Sequence, residues 1–186
     1  MFRMPIILCG AALLYGCSLA EYTDAPELSY LAGKRFELRN DAFVFTRRCP
    51  REELGRLLNW EKCNAIQIPG GCLPESYSTY ENNKQKSEDY LTRCLEKVAH
   101  SFGESEIVGY LEKGSVIQVA NIYTYSIGAE SSHWIIKAVI QSGNLKGTKV
   151  ELPSSGYRSG PKWFSPVSPH QGVPVQDVKY IGDVQK

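Results

Sequence analysis

Four cysteines in the interior of the chain are the residues best suited to covalent chemistry: Cys49, Cys63, Cys72 and Cys94. Such thiols either bind zinc or join as disulfides. They are separated by 13, 8 and 21 residues and include no Cys-x-x-Cys pair, which fits no common zinc pattern. An even set in an exported chain is typical of two disulfides, and three pairings are open. Of these we predict Cys63 with Cys72, across a short Pro-Gly-Gly turn, and Cys49 with Cys94.

Motifs for hydrolysis, metal catalysis or phosphate binding are not found in the sequence. No Gly-x-Ser-x-Gly pentapeptide is present. The three histidines, His100, His133 and His170, lie in separate segments without His-Glu-x-x-His spacing, and we expect each at the surface. The segment 143–149, GNLKGTK, has one residue too few between its glycines for a phosphate loop and is predicted to be a hairpin. We therefore predict no catalytic residue and no metal site.

The beginning of the chain has the composition of a secretory signal. Arg3 precedes an apolar run from Pro5 to Tyr15, which is the order of charged and hydrophobic regions that directs export. A single membrane span is the alternative, but it needs about 20 apolar residues and Glu21 ends the run too early. The sequence therefore predicts an exported protein.

The end of this run, LYGC at residues 14–17, resembles the lipobox of bacterial lipoproteins. The resemblance covers only the leader. It implies that Cys17 carries a diacylglycerol thioether, that cleavage follows Gly16, and that the new amino group is acylated. We expect no cofactor apart from this covalent lipid. Several acyl chains anchor firmly, since each buried methylene contributes about 0.8 kcal/mol. Ser18, where inner-membrane retention usually calls for Asp, implies the outer membrane facing the periplasm. Cleavage after Ala20, which would release a soluble protein, is the alternative.

The rest of the chain has the size and charge of a single neutral domain. With Arg3 removed, 20 basic and 20 acidic side chains remain, so we expect no nucleic-acid partner. A length of about 165 residues suits one domain with its own core. Residues 1–16 are the predicted signal peptide, the polar residues 17–29 a lipidated tether, and residues 30–186 the globular domain.

The first half of that domain, residues 30–103, mixes strand and helix patterns around the four cysteines. Alternating phenylalanines on either side of Asn40 predict a hairpin. The elements predicted in this half are the hairpin Lys34–Thr46, a helix from Pro50 to Cys63, a strand Ala65–Ile68, one or two helical turns from Pro74, and a helix over 84–100 capped by Ser87.

The second half changes to a period of two, typical of antiparallel strands. The strands predicted there are Ile107–Leu111, Val116–Tyr125, His133–Gln141 and Thr148–Leu152. The turn at Gly114 that leads into a long strand resembles the start of SH3-like barrels of envelope proteins, over residues 107–152. The predicted fold is mainly β with minor α: a small SH3-like barrel or curved antiparallel sheet over 104–153, a disulfide-stapled helical insertion, and an irregular tail over 154–186.

Aromatic residues supply the one positive indication of a binding surface. Tyr123 and Tyr125 share a face of the long strand, and Trp163 and Phe164 follow the last strand. We predict that these rings converge as a partner-binding face, with closure of the barrel ends as the alternative.

These observations together predict a non-catalytic envelope protein, bound to the bilayer through Cys17, whose β-rich domain binds a protein partner in envelope assembly or effector neutralisation. The alternatives are a cell-wall-binding SH3-like module and an envelope hydrolase with an unrecognised site. An exposed aromatic groove favours wall binding, whereas a rimmed apolar patch favours a protein partner.

Overall fold

The computed structural model describes residues 18–50, 60–99, 105–127, 131–154 and 160–184. The predicted signal peptide, Cys17 and His100 lie outside these ranges. The described elements are β1 (Ser18–Glu21), β2 (Arg35–Leu38), β3 (Ala42–Pro50), β4 (Trp60–Gln67), α1 (Tyr77–Asn82), α2 (Lys84–Ala99), β5 (Ile107–Leu111), β6 (Val116–Ile127), β7 (Ser131–Ile140), β8 (Lys149–Glu151), β9 (Phe164–Ser165), β10 (Val175–Gln176) and β11 (Ile181–Asp183).

Most of these strands form one large sheet. Its order is β11-β2-β6-β7-β8-β4-β3-β5, and β1 pairs with the far part of β6, beyond the part that pairs with β2. The short strands β9 and β10 pair only with each other within the described ranges. Neighbours run antiparallel except β4 and β8, which are parallel. The fold is therefore mainly β with two helices, as predicted, but the sheet is mixed and is not closed into a barrel. The prediction of an SH3-like barrel is therefore wrong.

The predicted hairpin over Lys34–Thr46 is wrong in its pairing. Both strands form, but β2 pairs with β6 and β11, whereas β3 pairs with β4 and β5. The segment between them is tied elsewhere: the Arg39 amide donates to the Tyr180 carbonyl, and the Asp41 carboxylate accepts from the Lys113 amide at 2.8 Å. Contacts with distant segments thus override the local turn signal.

The predicted helix from Pro50 to Cys63 is contradicted at both of its described ends. Pro50 ends β3 and Trp60 begins β4, and these two residues are register partners. Residues 51–59 lie outside the described residues. The later helices are confirmed, although α2 begins at Lys84, and the Ser87 amide donates to the Asn83 carbonyl within the helix instead of Ser87 capping it.

Apolar side chains cover both faces of the sheet. Along β7, Trp134, Ile136, Ala138 and Ile140 alternate into the main core, as the period of two predicted. A second core lies on the other face, where α1 and α2 cover β3 and β5. Its buried residues are Phe43, Phe45, Ala65, Cys72, Leu73, Tyr80, Leu91 and Ile107.

The described part of the tail, 160–184, packs closely on the sheet, and irregular segments separate its short strands β9, β10 and β11. Trp163 is fully buried, and its indole N–H donates to the Gln67 side-chain carbonyl at 3.1 Å. The Gln67 amide nitrogen in turn donates to the Pro161 carbonyl at 2.9 Å. The strand β11 then extends the sheet beside β2, with Ile181 opposite Leu38. Trp163 and Ile181 of the tail are therefore part of the main core.

The segment predicted to be a tether is also ordered from Ser18 onward. The four residues of β1 pair with β6, and Leu19 is buried opposite Tyr125. A short 3-10 turn at Pro26–Leu28 then places Leu28 in the main core. Strand pairing and the buried side chains of Leu19 and Leu28 thus hold this segment on the sheet.

Candidate protein-binding site

The four aromatic residues predicted to form a binding face are buried and do not converge. Trp163 and Phe164 belong to the main core. Tyr123 and Tyr125 form a separate cluster with Leu19 and Ile135. Their exposed fractions are 4% or less, so they present no aromatic surface in this structure. Tyr123 and Tyr125 share one face of β6, as predicted, but both rings are buried in this cluster.

Both predicted disulfide pairings are wrong, although all four cysteines are in disulfides. Cys49 is bonded to Cys63, with 5.8 Å between the Cα atoms. The reason is the pairing of β3 with β4, which sets Cys49 opposite Glu61 and Cys63 opposite Arg47. Cysteines two positions apart on one face of neighbouring strands are close enough to bond.

The second disulfide joins Cys72 to Cys94, with 5.6 Å between the Cα atoms. Cys72 follows the turn after β4, and Cys94 lies on α2. The bond therefore fastens the long helix to the sheet region, beside the apolar residues that the helix covers.

The exposed aromatic surface lies at a different place, where α1 meets β5. Tyr77 stacks on Tyr110 with 4.8 Å between ring centroids. Behind them Phe43 and Tyr80 continue the cluster, with the Phe43 ring 5.2 Å from that of Tyr110 and 6.0 Å from that of Tyr80. Tyr77 remains 41% exposed. The outer ring, Tyr77, thus contacts two of the other three, Tyr110 and Tyr80, with 6.1 Å between its centroid and that of Tyr80.

Local hydrogen bonds fix both outer rings. Ser76 caps α1 by accepting from the Thr79 amide at 3.2 Å, which orients the first helical residue, Tyr77. Burial, and next a hydrogen bond to Asp41, raise the pKa of Tyr110. A hydrogen bond to Glu81 is the main cause that raises the pKa of Tyr77. Both hydroxyl groups are therefore neutral hydrogen-bond donors at physiological pH.

A groove of about 480 Å³ opens beside this ring pair. Its lining residues are Tyr77, Val108, Gly109, Tyr110, Leu111, Glu112, Ser115, Gly143 and Asn144. Gly109 matters for its shape, because a Cβ atom there would lie 2.9 Å from a methyl carbon of Leu145. The missing side chain allows the loop after β7 to pack against β5.

The groove runs along an open edge of the sheet. β5 is the last strand in the order, and no described strand pairs with its outer edge. Val108 on this strand is 41% exposed. An edge strand with unpaired backbone groups is a template for an added strand. We refer to β5, Tyr77 and the groove together as the β5 groove.

A second, smaller depression of about 380 Å³ lies between α1, α2 and the segment before them. It is lined by polar side chains, including Glu75 and Lys86, together with the exposed ring of Tyr90. It has no sheet edge beside it and no stacked aromatic pair, so the β5 groove is the better-formed candidate among the described residues.

One group of three potential metal ligands occurs among the described residues: Cys49, Cys63 and the buried Glu151. Both sulfur atoms are already committed to each other in a disulfide. The group as it stands therefore offers a single carboxylate, which does not make a metal site.

The two described histidines have different surroundings. His170 is exposed on a 3-10 turn, as predicted. His133 on β7 is half-buried, and burial, followed by the nearby Lys162 charge, lowers its pKa. The expectation of a surface position thus holds for His170 only.

These features define a β-rich, disulfide-stapled domain in which the edge strand β5, paired on its outer side with no described strand, lies beside a stacked aromatic pair. No protein-family model, curated protein or solved structure matches the chain. Among the described helices, none has the length and apolar character required to cross a bilayer.

The sequence contained only weak signals for this site. Tyr77 and Tyr80 are three residues apart, so a helix places them on one side, and Tyr110 lies in a correctly predicted strand. Nothing local indicates that the helix packs over that strand, because the contact joins residues 33 positions apart in the sequence.

Proposed function

We propose that this protein is a lipid-anchored envelope protein, located at the outer membrane and facing the periplasm, that binds a protein partner at the β5 groove. The partner supplies an extended segment that pairs with the outer edge of β5 and packs side chains against Tyr77. The observation that carries the proposal is the open strand edge directly beside a supported, exposed aromatic ring. The proposal assigns no catalytic step to the protein.

The two parts of the binding site have complementary roles. Main-chain hydrogen bonds along an edge strand supply affinity with little dependence on sequence, and pockets for alternate side chains supply specificity. β5 has five residues, which is long enough for a short added strand. Tyr77 contributes apolar area without a large loss of torsional freedom, because Tyr110 already holds it.

The proposed location is supported by the two disulfides and the lipobox resemblance. Disulfides persist in oxidising compartments such as the bacterial periplasm. The residues LYGC at 14–17 supply the acylation site of the proposed anchor, Cys17. Metabolic labelling with a palmitate analogue tests this part: the wild type takes up label and Cys17→Ser does not. Label on the serine variant, or a mature protein that begins at Glu21, would refute it.

The binding site is tested by photo-crosslinking in cells. A photoreactive phenylalanine analogue placed at Val108 should crosslink to a discrete polypeptide. The matched control is the same analogue at Val175, a 54% exposed valine on β10 that is not in the groove. Tyr77→Ala in the Val108 background should weaken capture by about 1 to 2 kcal/mol. A Val108 product no stronger than that from Val175 would refute the site.

A second candidate function is binding of cell-wall glycan, because Tyr77 is an exposed aromatic ring in a groove that also offers Glu112 and Asn144. Sugars stack on such rings and hydrogen-bond to neighbouring carboxylates and amides. A glycan has no peptide backbone and therefore cannot pair with the edge of a strand. Sedimentation with purified cell-wall sacculi that is lost in Tyr77→Ala, together with no polypeptide crosslink from Val108, would favour this function instead.

A further inference from the structure

We propose that the lipid anchor continues directly into β1 without a spacer, so that the end of β6 at Ser126 and the start of β7 at Ser132 face the bilayer and the β5 groove points away from it. This inference rests on the proposed lipidation of Cys17. It adds the orientation of the domain and the surface that faces the lipid.

The first observation is how firmly the residues after Cys17 are attached to the sheet. Ser18 pairs with Ser126 and Glu21 with Tyr123. Beyond the strand, the Tyr22 amide donates to the Ile122 carbonyl at 2.8 Å. A polar segment that is hydrogen-bonded along its length cannot act as a flexible linker.

Side chains reinforce this attachment. Leu19 is buried in a cluster with Tyr123, Tyr125 and Ile135. The Thr23 hydroxyl accepts from the Ile122 amide at 3.0 Å, and the Glu21 carboxylate accepts from the Asn121 side chain at 3.1 Å. Burial of the Leu19 side chain, added to these hydrogen bonds, stabilises β1 on β6.

The second observation is the direction of β1. It runs antiparallel to β6, with its first residue opposite Ser126 and its last residue nearer the start of β6. Because one residue spans at most about 3.6 Å, an anchor attached one residue before Ser18 joins the sheet beside Ser126. There the hydroxyl groups of Ser126 and Ser132 are 2.7 Å apart. These two described serines mark the surface that we assign to the lipid headgroups.

The third observation is that the groove lies at the opposite end of the same strand. The groove residue Ser115 immediately precedes β6, and Gly143 and Asn144 follow the end of β7. From Val116 to Ser126 the strand rises about 33 Å, at about 3.3 Å per residue. The strand itself therefore acts as the spacer, and it holds the open edge of β5 clear of the headgroups, where a periplasmic partner can reach it.

The test uses the intact, processed lipoprotein in vesicles that contain a phospholipid with a photoreactive headgroup. After illumination, lipid adducts are mapped by mass spectrometry. We expect adducts to concentrate in the peptide that contains Ser126 and Ser132 and to be nearly absent from the peptide that contains Gly143 and Asn144. The Cys17→Ser variant should not be captured by the vesicles.

A matched variant carries a Gly-Ser linker of about ten residues between Cys17 and Ser18, which restores a flexible tether. Its domain should tumble, so that the difference between the two peptides is lost while vesicle capture is kept. Equal adducts in both peptides of the captured wild type would overturn the proposed orientation alone. A wild type that carries no fatty acid and is not captured would overturn both the orientation and the proposed anchoring.

Discussion

Replacing Trp163 should destabilise the protein strongly, because this ring is a core residue. It is fully buried, stacks on Tyr180 with an angle of 11° between the planes, and donates its indole N–H to Gln67. Truncating a buried tryptophan to alanine typically costs about 3 to 5 kcal/mol, since both the transfer free energy and a cavity contribute. Domains of this kind have total stabilities of about 5 to 15 kcal/mol.

The expected result for Trp163→Ala is a fall in melting temperature of about 6 to 20 °C, because each kcal/mol shifts the midpoint by about 2 to 4 °C in a chain of this length. Thermal unfolding followed by circular dichroism, with urea unfolding as the second measure, gives both quantities. Trp163→Phe should cost less. The Gln67 carbonyl keeps the Ile68 amide as donor at 3.0 Å, so the lost hydrogen bond contributes only about 1 kcal/mol.

The control is Tyr77→Ala, which removes an exposed ring of the β5 groove and should leave the free energy of unfolding within about 1 kcal/mol of the wild type. The reasoning fails if Trp163→Ala also unfolds within 1 kcal/mol of the wild type. That result would mean that the tail does not contribute to the core.

Three further predictions concern the disulfides and two titrating side chains. Peptide mapping without reduction should recover Cys72 linked to Cys94, and replacing both by alanine should cost about 3 kcal/mol, from the closure of a loop of this length; a different partner for Cys72 would contradict the structure. Because burial raises the pKa of Tyr110, the folded state keeps this proton when the unfolded chain loses it, so stability should fall as the pH rises above 10, and less steeply in Tyr110→Phe. Because burial lowers the pKa of His133, the unfolded state binds a proton at a higher pH than the folded state does, so stability should fall as the pH drops below 6.5. The fall should be less steep in His133→Gln. Urea unfolding midpoints measured across pH give the slopes for both residues, and slopes unchanged in the variants would refute the assignments.

Local patterns predicted the strands well where burial alone determines them. In β7, Trp134, Ile136 and Ala138 alternate into the main core, and the strand appears within two residues of its predicted bounds. The bounds of β5 were predicted correctly, because turn signals flank a short apolar run. In these segments the hydrophobic period and the nearest glycines carry the necessary information.

Pairing between strands could not be read in the same way. β2 and β3 are adjacent in sequence, with a turn signal between them, yet Leu38 pairs with Ile181 from the end of the chain. The predicted disulfide pairings were wrong for the same reason, since Cys49 and Cys63 meet only because β3 pairs with β4. Long-range pairing depends on the combined burial of distant segments, which no local window contains.

The position of β11 also sets an order of events during folding. This strand completes the sheet beside β2, so residues near both ends of the chain must meet before the main core is closed. Such distant contacts form slowly, since a long loop must be closed before they contribute any free energy. A chain that is synthesised from its amino terminus therefore cannot complete this core before Ile181 has been added. Truncation of the last ten residues should then leave a protein that is trapped short of its native state, with the apolar surface of β2 open to chaperones and proteases.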